Sequence, residues 1–293
     1  MGDWASKSVS VAIPASLVSD TPHLRERTSK VGQIGRACAI FGVRDIFVYA
    51  DDPRSDQREE MEFCELILSF METPQYLRKR IFRLSPLLKF TGILPPLQTP
   101  HHAVPSSLHN VRVGEMRDGI VIRSTAEKAL VDVGLEKETE CAGGLRPGTR
   151  VTVRVTQLKP TLVGEIVDQS KISISGPDMR PIYWGYHVNR APSLGKLLQE
   201  HRFDLKIGTS RYGSPVTEVW PSLSSELKKA GSVLVAFGSP RFGLREILQQ
   251  EKLDRNDVLD YFVNTIPSQK TATVRTEEAL LVSLGILNLA LTC

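Results

Sequence analysis

The chain has 293 residues, 41% of them hydrophobic and 24% charged, and its 37 Lys and Arg against 33 Asp and Glu leave a net charge of +4. That length admits one large domain or two ordinary ones, and the composition excludes long disorder and fibrous architectures. Residues 1–92, 93–176 and 177–293 each carry a net charge of only +1 or +2, so no basic tail or domain announces nucleic acid.

The N-terminal MGDWASKSVS has no apolar core behind a positive charge, which argues against a secretory leader. Residues 8–13, rich in Val and Ile and closed by Pro14, read as a buried strand. Thr21 and Pro22 read as the start of a helix, with Leu24, Val31, Ile34, Cys38 and Phe41 at helical spacing and Gly42 as its stop. Residues 45–50 read as a second strand and residues 57–71 as a second helix. Strand, helix, strand, helix predicts a parallel sheet with helices on its faces. Arg78, Lys79 and Arg80 read as a solvated helix face and, with Lys89 nearby, as a minor RNA-contact candidate.

Residues 93–110 hold four prolines and three of the six histidines, as a linker does. His101 and His102 lack acidic neighbours there and read as solvated. Short strand patterns follow at 111–113, 119–122, 129–133, 150–155, 162–167 and 171–175. Five or six such runs in so short a stretch predict a small antiparallel barrel, inserted into the first domain. No Phe, Tyr or Trp occurs in residues 111–176, so contact through Arg112, Arg117, Arg123, Arg150 and Arg154 is expected there rather than base stacking. Tyr183, Trp184 and Tyr186, just beyond, read as packing at the junction, with stacking of a base as the alternative. Helix-and-strand alternation then resumes, with a helix at 193–199, strands at 204–207, 232–237 and 261–263, and a C-terminal helix at 276–291. The longest apolar stretch, residues 279–291, falls short of the ~20 residues that cross a bilayer. Cys38, Cys64, Cys141 and Cys293 form no C-x-x-C pair and read as reduced thiols of an intracellular protein, with no zinc site or disulfide framework.

Three of these strands run into loops of Gly, Ser, Thr, Pro and Asn: residues 208–214, 238–244 and 264–273. Ligands of open parallel sheets bind beyond the carboxyl ends of strands, so three such loops propose one composite pocket. No P-loop, G-x-G-x-x-G, G-x-S-x-G or H-E-x-x-H motif occurs. A hydrolase using the Ser and Gln of the loops lacks a paired His.

Residues 30–43 (KVGQIGRACAIFGV) resemble the first motif of the SPOUT RNA methyltransferases, the knotted class that uses S-adenosylmethionine. Residues 237–244 (FGSPRFGL) are similar to the second motif of that class. Residues 264–279 (NTIPSQKTATVRTEEA) are similar to its third, cofactor-clasping motif. Arg241, Phe242 and Gly243 stand where the second motif often has an acidic residue and two glycines, and Lys270 where the third often has Gly. With the inserted barrel and residues 183–186 (YWGY), the likeness narrows to an archaeal and eukaryotic branch carrying an OB-like insert.

The resemblance implies an α/β fold: a SPOUT-type parallel sheet with a C-terminal trefoil knot, formed by residues 1–92 and 177–293. It further implies an OB-like β-barrel inserted at 93–176. It implies S-adenosylmethionine held by Thr209, Ser210, Gly213, Phe237, Gly238, Ser239, Gly243, Asn264, Thr265, Ile266, Pro267, Gln269 and Thr273. Arg36 is the implied catalytic residue, since a guanidinium stays charged and donates in a fork. RNA contacts are expected at Arg25, Lys30, Arg211, Arg150 and Arg154. The implied substrate is ribosomal RNA, and the acceptor is left open between a uridine base nitrogen and a ribose oxygen. The implied assembly is a homodimer in which Arg36 of one subunit serves the other's pocket, with no membrane and no metal. The implied location is intracellular: the cytoplasm of an archaeon, or the nucleus or nucleolus of a eukaryote. The competing reading is a non-catalytic RNA-binding or ribosome-assembly factor on the same scaffold.

Overall fold

The computed structural model describes residues 7–103, 108–169 and 182–292. Two compact units divide the chain: Met1–Glu72 with Ser85–Leu97 and Gly185–Cys293, and Thr73–Leu84 with Gln98–Trp184.

The first unit opens with β1 (Ser8–Pro14), α1 (Leu24–Ile40), β2 (Asp45–Tyr49) and α2 (Arg58–Glu72). Every residue of β1 after Ser8 is buried, as expected of a central strand covered on both faces. The Thr21 hydroxyl hydrogen-bonds Asp20 at 3.0 Å instead of capping, and α1 begins later, behind an extended His23. Gly42 ends the helical run with φ of 64°, a left-handed stop that favours glycine.

The second unit contributes α3 (Gln75–Ile81), which carries Arg78, Lys79 and Arg80, and then five strands. These are β3 (Met116–Ser124), β4 (Lys128–Asp132), β5 (Thr139–Ala142), β6 (Arg150–Gln157) and β7 (Val163–Val167). They close a barrel in the order β3-β4-β5-β7-β6, filled by Val121, Ala129, Val131, Val133, Cys141 and Val153. Val111 to Val113 lead into β3 through a turn rather than forming a strand, and the polar Thr139–Ala142 segment pairs where no strand was expected. The strand expected at 171–175 lies outside the described residues. His101 is fully buried, not solvated, with its ring 4.4 Å from that of His102 and 5.9 Å from that of Trp184. Trp184 is buried too and donates to Asp118 Oδ1 at 2.8 Å, the packing role its sequence position suggested.

The first unit resumes with β8 (His187–Ala191), α4 (Leu194–Glu200), β9 (Leu205–Pro215), α5 (Val216–Lys229) and β10 (Ser232–Phe237). It ends with α6 (Leu244–Gln250), α7 (Arg255–Val258), β11 (Tyr261–Asn264) and α8 (Thr276–Thr292). Its six strands form one parallel sheet in the order β11-β9-β10-β1-β2-β8. Tyr49, Leu234 and Ala236 pack against Leu194, Leu197 and Leu198 of α4 and Leu244, Ile247 and Leu248 of α6. The alternating residues Val11, Ile13, Val48 and Val235 are fully buried on the opposite face. Among the described residues, no helix is long and apolar enough to cross a membrane.

Candidate active site

Because all six strands run the same way, the segments after β9, β10 and β11 leave the sheet at a common edge, where parallel sheets place ligands. β9 extends further than its sequence pattern suggested. Phe262 pairs with Gly208 and the next residue, Val263, with Ser214, so residues 209–213 stand out as a bulge. Gly213 closes that bulge against the neighbouring backbone: a Cβ there would lie 2.6 Å from the carbonyl carbon of Val263 and 2.8 Å from the Phe262 oxygen. Asn264 then ties the bulge to the last loop, its Nδ2 donating to the Arg211 carbonyl at 3.0 Å and its Oδ1 accepting from Ile266 N at 2.9 Å. Arg211 Nη1 donates to the Ala272 carbonyl at 2.7 Å. Between the two segments lies a cleft of about 490 Å³, lined by Arg211, Tyr212, Asn264, Ile266, Ser268, Gln269, Thr271 and Ala272.

Of the residues expected to hold a cofactor, Asn264, Ile266 and Gln269 line this cleft, and Arg211, expected at RNA, lines it as well. The others form its surroundings. Thr209 Oγ1 donates to the Ala236 carbonyl at 3.0 Å, and Ser210 Oγ accepts from Tyr212 N at 3.2 Å. Phe237 is buried and its carbonyl accepts from Tyr49 at 2.6 Å. The Gly238 carbonyl accepts from Thr276 Oγ1 at 3.4 Å, Ser239 N donates to the Phe242 carbonyl at 2.9 Å, and Gly243 N is capped by Glu246 at 2.7 Å. Thr265 is buried with its hydroxyl 2.8 Å from that of Ser283 on α8. Pro267 is half-buried and Thr273 exposed, while Arg241 and Lys270 are exposed and do not line the cleft. Tyr212, Ser268, Thr271 and Ala272 line it without having been singled out. Tyr212 is the sole aromatic in residues 208–214, and that contrast with its small neighbours is the signal that marks it.

On α1, Arg36 is half-buried and its Nη1 donates to the carbonyls of Pro96 at 3.0 Å and Leu97 at 2.6 Å. Among the described residues, no hydrogen bond joins it to a cleft residue. Gly32, one turn earlier, admits the same segment, since a Cβ there would meet Leu94 at 2.7 Å. Lys30 is buried with its Nζ 2.9 Å from Asp20 Oδ1, whereas Arg25 is exposed. In the barrel, Arg117 is buried rather than open to RNA, its Nε donating to the Val133 carbonyl at 3.0 Å. Arg150 grips the fully buried Asp118, and Arg154 lies 3.9 Å from Glu165 with its side chain 40% exposed.

Glu277, in the first turn of α8, is buried, and among the described residues none hydrogen-bonds its Oε2. Burial pushes its carboxyl above the ordinary value, against a smaller opposing effect of the Lys30 charge. The thiols of Cys64 and Cys141 are pushed up by burial to about 12 and about 11, and that of Cys38 further still, so none is a nucleophile at neutral pH.

Residues 8–287 match a family described as "Putative RNA methyltransferase". The chain is 35% identical over 311 residues to the 28S rRNA (uridine-N(3))-methyltransferase of Mus musculus, covering 97% of this chain and 77% of that one. It is 36% identical over 313 residues to the Homo sapiens protein of the same name, covering 96% of this chain and 77% of that one. It is also 32% identical over 296 residues to an uncharacterized protein of Haloarcula marismortui, covering 96% of this chain and 99% of that one. With a match that spans sheet, barrel and cleft alike, the chain belongs to this RNA methyltransferase family.

Proposed function

We propose that the protein transfers a methyl group from S-adenosylmethionine to ribosomal RNA, with N3 of a uridine as acceptor. The mouse and human relatives are named as 28S rRNA (uridine-N(3))-methyltransferases. The observation that carries the reading is the cleft built jointly by the β9 bulge and the loop after β11. Its volume of about 490 Å³ falls within the roughly 300–1,000 Å³ of small-molecule sites. Ile266 offers an apolar wall for a purine, and Asn264, Ser268, Gln269 and Thr271 offer amides and hydroxyls to a ribose and an amino acid end. The cofactor contributes an electrophilic methyl group on a sulfonium.

The chain's own residues orient the two reactants. Asn264 and Arg211 hold the two loops at fixed spacing, as near-attack geometry requires. Thr209, Ser210, Gly213, Phe237, Gly238, Ser239, Gly243, Thr265, Pro267 and Thr273 complete the cofactor site as its supporting walls. Arg36 is the catalytic group: its guanidinium stabilises negative charge developing on the uracil oxygens as N3 gives its proton to solvent water and its lone pair takes the methyl group, leaving the donor as the neutral thioether. Arg25 and Arg211 grip phosphate on the sheet unit, and Arg154 does so on the barrel.

The reading extends to the architecture. The class is SPOUT, with the C-terminal end of the chain tucked through a loop as a trefoil knot, and the inserted barrel is OB-like. The barrel's strand order, in which β7 separates β5 from β6, supports that assignment. Three buried free thiols suit a reducing, intracellular setting. The working unit is a homodimer in which Arg36 of one subunit serves the other's cleft. In support, α8 is apolar on all sides, yet Leu281 and Leu289 are 46% and 52% exposed, and Ile40 of the adjoining α1 is 54% exposed. Calorimetric titration with S-adenosylhomocysteine tests the proposal. Saturable one-site binding is expected, and absence of heat together with retained RNA binding would favour the non-catalytic factor.

A further inference from the structure

Tyr212 is 74% exposed, whereas Tyr49 and Tyr186 in the same unit are buried. Its ring is nonetheless held in place. The Arg211 guanidinium carbon stands 4.6 Å from the ring centroid, and Arg211 Nη2 donates to the Tyr212 hydroxyl. Arg211 is itself fixed at both ends, its carbonyl accepting from Asn264 and its Nη1 donating to the Ala272 carbonyl. An aromatic side chain pinned in water by a cation, at the lip of a cleft lined by amides and hydroxyls, is prepaid for stacking. Its rotamer freedom is already spent and its ring is open to solvent. RNA enzymes need such a surface, since a base must leave its stack before a ring atom can react.

We infer that Tyr212 is the platform on which an unstacked nucleobase of the RNA lies as it enters the cleft, with Arg211 both holding the ring and contacting the adjoining phosphate. This rests on the methyl-transfer reading and adds to it the residue that selects an unpaired base. The adenine of the methyl donor is the other nucleobase that could use the ring, and the experiment separates the two.

Variants Y212F, Y212W, Y212L and Y212A are compared with the unmodified protein in two titrations. One follows a fluorescein-labelled single-stranded decauridylate by anisotropy, the other S-adenosylhomocysteine by calorimetry. RNA affinity is expected to rank the aromatic substitutions above Leu and Ala, with a loss of about tenfold or more for the aliphatic pair. S-adenosylhomocysteine affinity is expected to move far less. Leu binding RNA as well as Phe would overturn the inference, as would donor affinity falling in step with RNA affinity. If the unmodified protein binds decauridylate but no S-adenosylhomocysteine, the methyl-transfer reading fails, while the aromatic ranking still decides the role of the ring.

Discussion

Arg36 and Gly32 lie one helical turn apart and meet the same stretch of chain: glycine lets residues 94–95 close in and arginine grips 96–97. The partners of Arg36 lie 60 residues away along the chain, where no local spacing reaches. For R36A, labelled methyl transfer is expected to fall by about 10²-fold or more, with S-adenosylhomocysteine affinity retained. Full transfer activity would remove the catalytic assignment. Gly213 is different in kind, because its neighbours are backbone atoms that cannot step aside. G213A is expected to force the bulge off the β11 backbone and abolish S-adenosylhomocysteine binding while the far-ultraviolet circular dichroism is kept. A variant that binds normally would show that the bulge is not part of the cleft. Lys30 illustrates what sequence alone misses at this scale, since a motif lysine looks like a surface cation until Asp20 is seen to bury it.

Strands dominated by apolar residues were legible as elements: the patterns at 8–13 and 232–237 became β1 and β10 because burial on both faces calls for Val, Ile, Leu and Ala, with only small serines between them. β5 and β8 were not, since TECA and HVNRA carry too few apolar residues to announce pairing that neighbouring strands impose. α5 escaped because Pro221 sits inside it. β9 was cut short because Gly208–Ser214 has loop composition, and only its pairing with β11 shows that the segment is a bulged strand. α8 carries a prediction of its own through Glu277. Burial there favours the neutral carboxyl, with Glu278 adding to the effect and Lys30 and Arg275 opposing it. A raised carboxyl stabilises the fold below its ordinary value of 4.5 and weakens it as pH rises through the folded-state value. Melting temperature should therefore decline for the unmodified protein relative to E277Q between pH 4.5 and neutrality, and parallel curves would show that Glu277 ionises without cost.

Across the whole molecule, the change of texture near residue 93 announced a second compact body. What the composition did not show is that α3, upstream of that change, belongs with the barrel unit. Tyr76 on α3 donates to the Asp118 carbonyl at 2.7 Å and Arg80 pairs with Asp132 at 2.6 Å, links between residues too far apart in sequence to be read from either segment. The apolar faces of α1 and α8 set the expectation for assembly. The double variant I40D/L281D should elute as a monomer in light-scattering chromatography, whereas an unchanged mass would place the dimer contact elsewhere or exclude it. The central claim, a cleft that presents a methyl donor to a uridine of ribosomal RNA, is met most directly by incubating the protein with unmodified ribosomal RNA and S-adenosylmethionine labelled in its methyl group, then digesting the RNA to nucleosides. The account predicts label in 3-methyluridine; label confined to ribose oxygens, or none in the RNA at all, would contradict it.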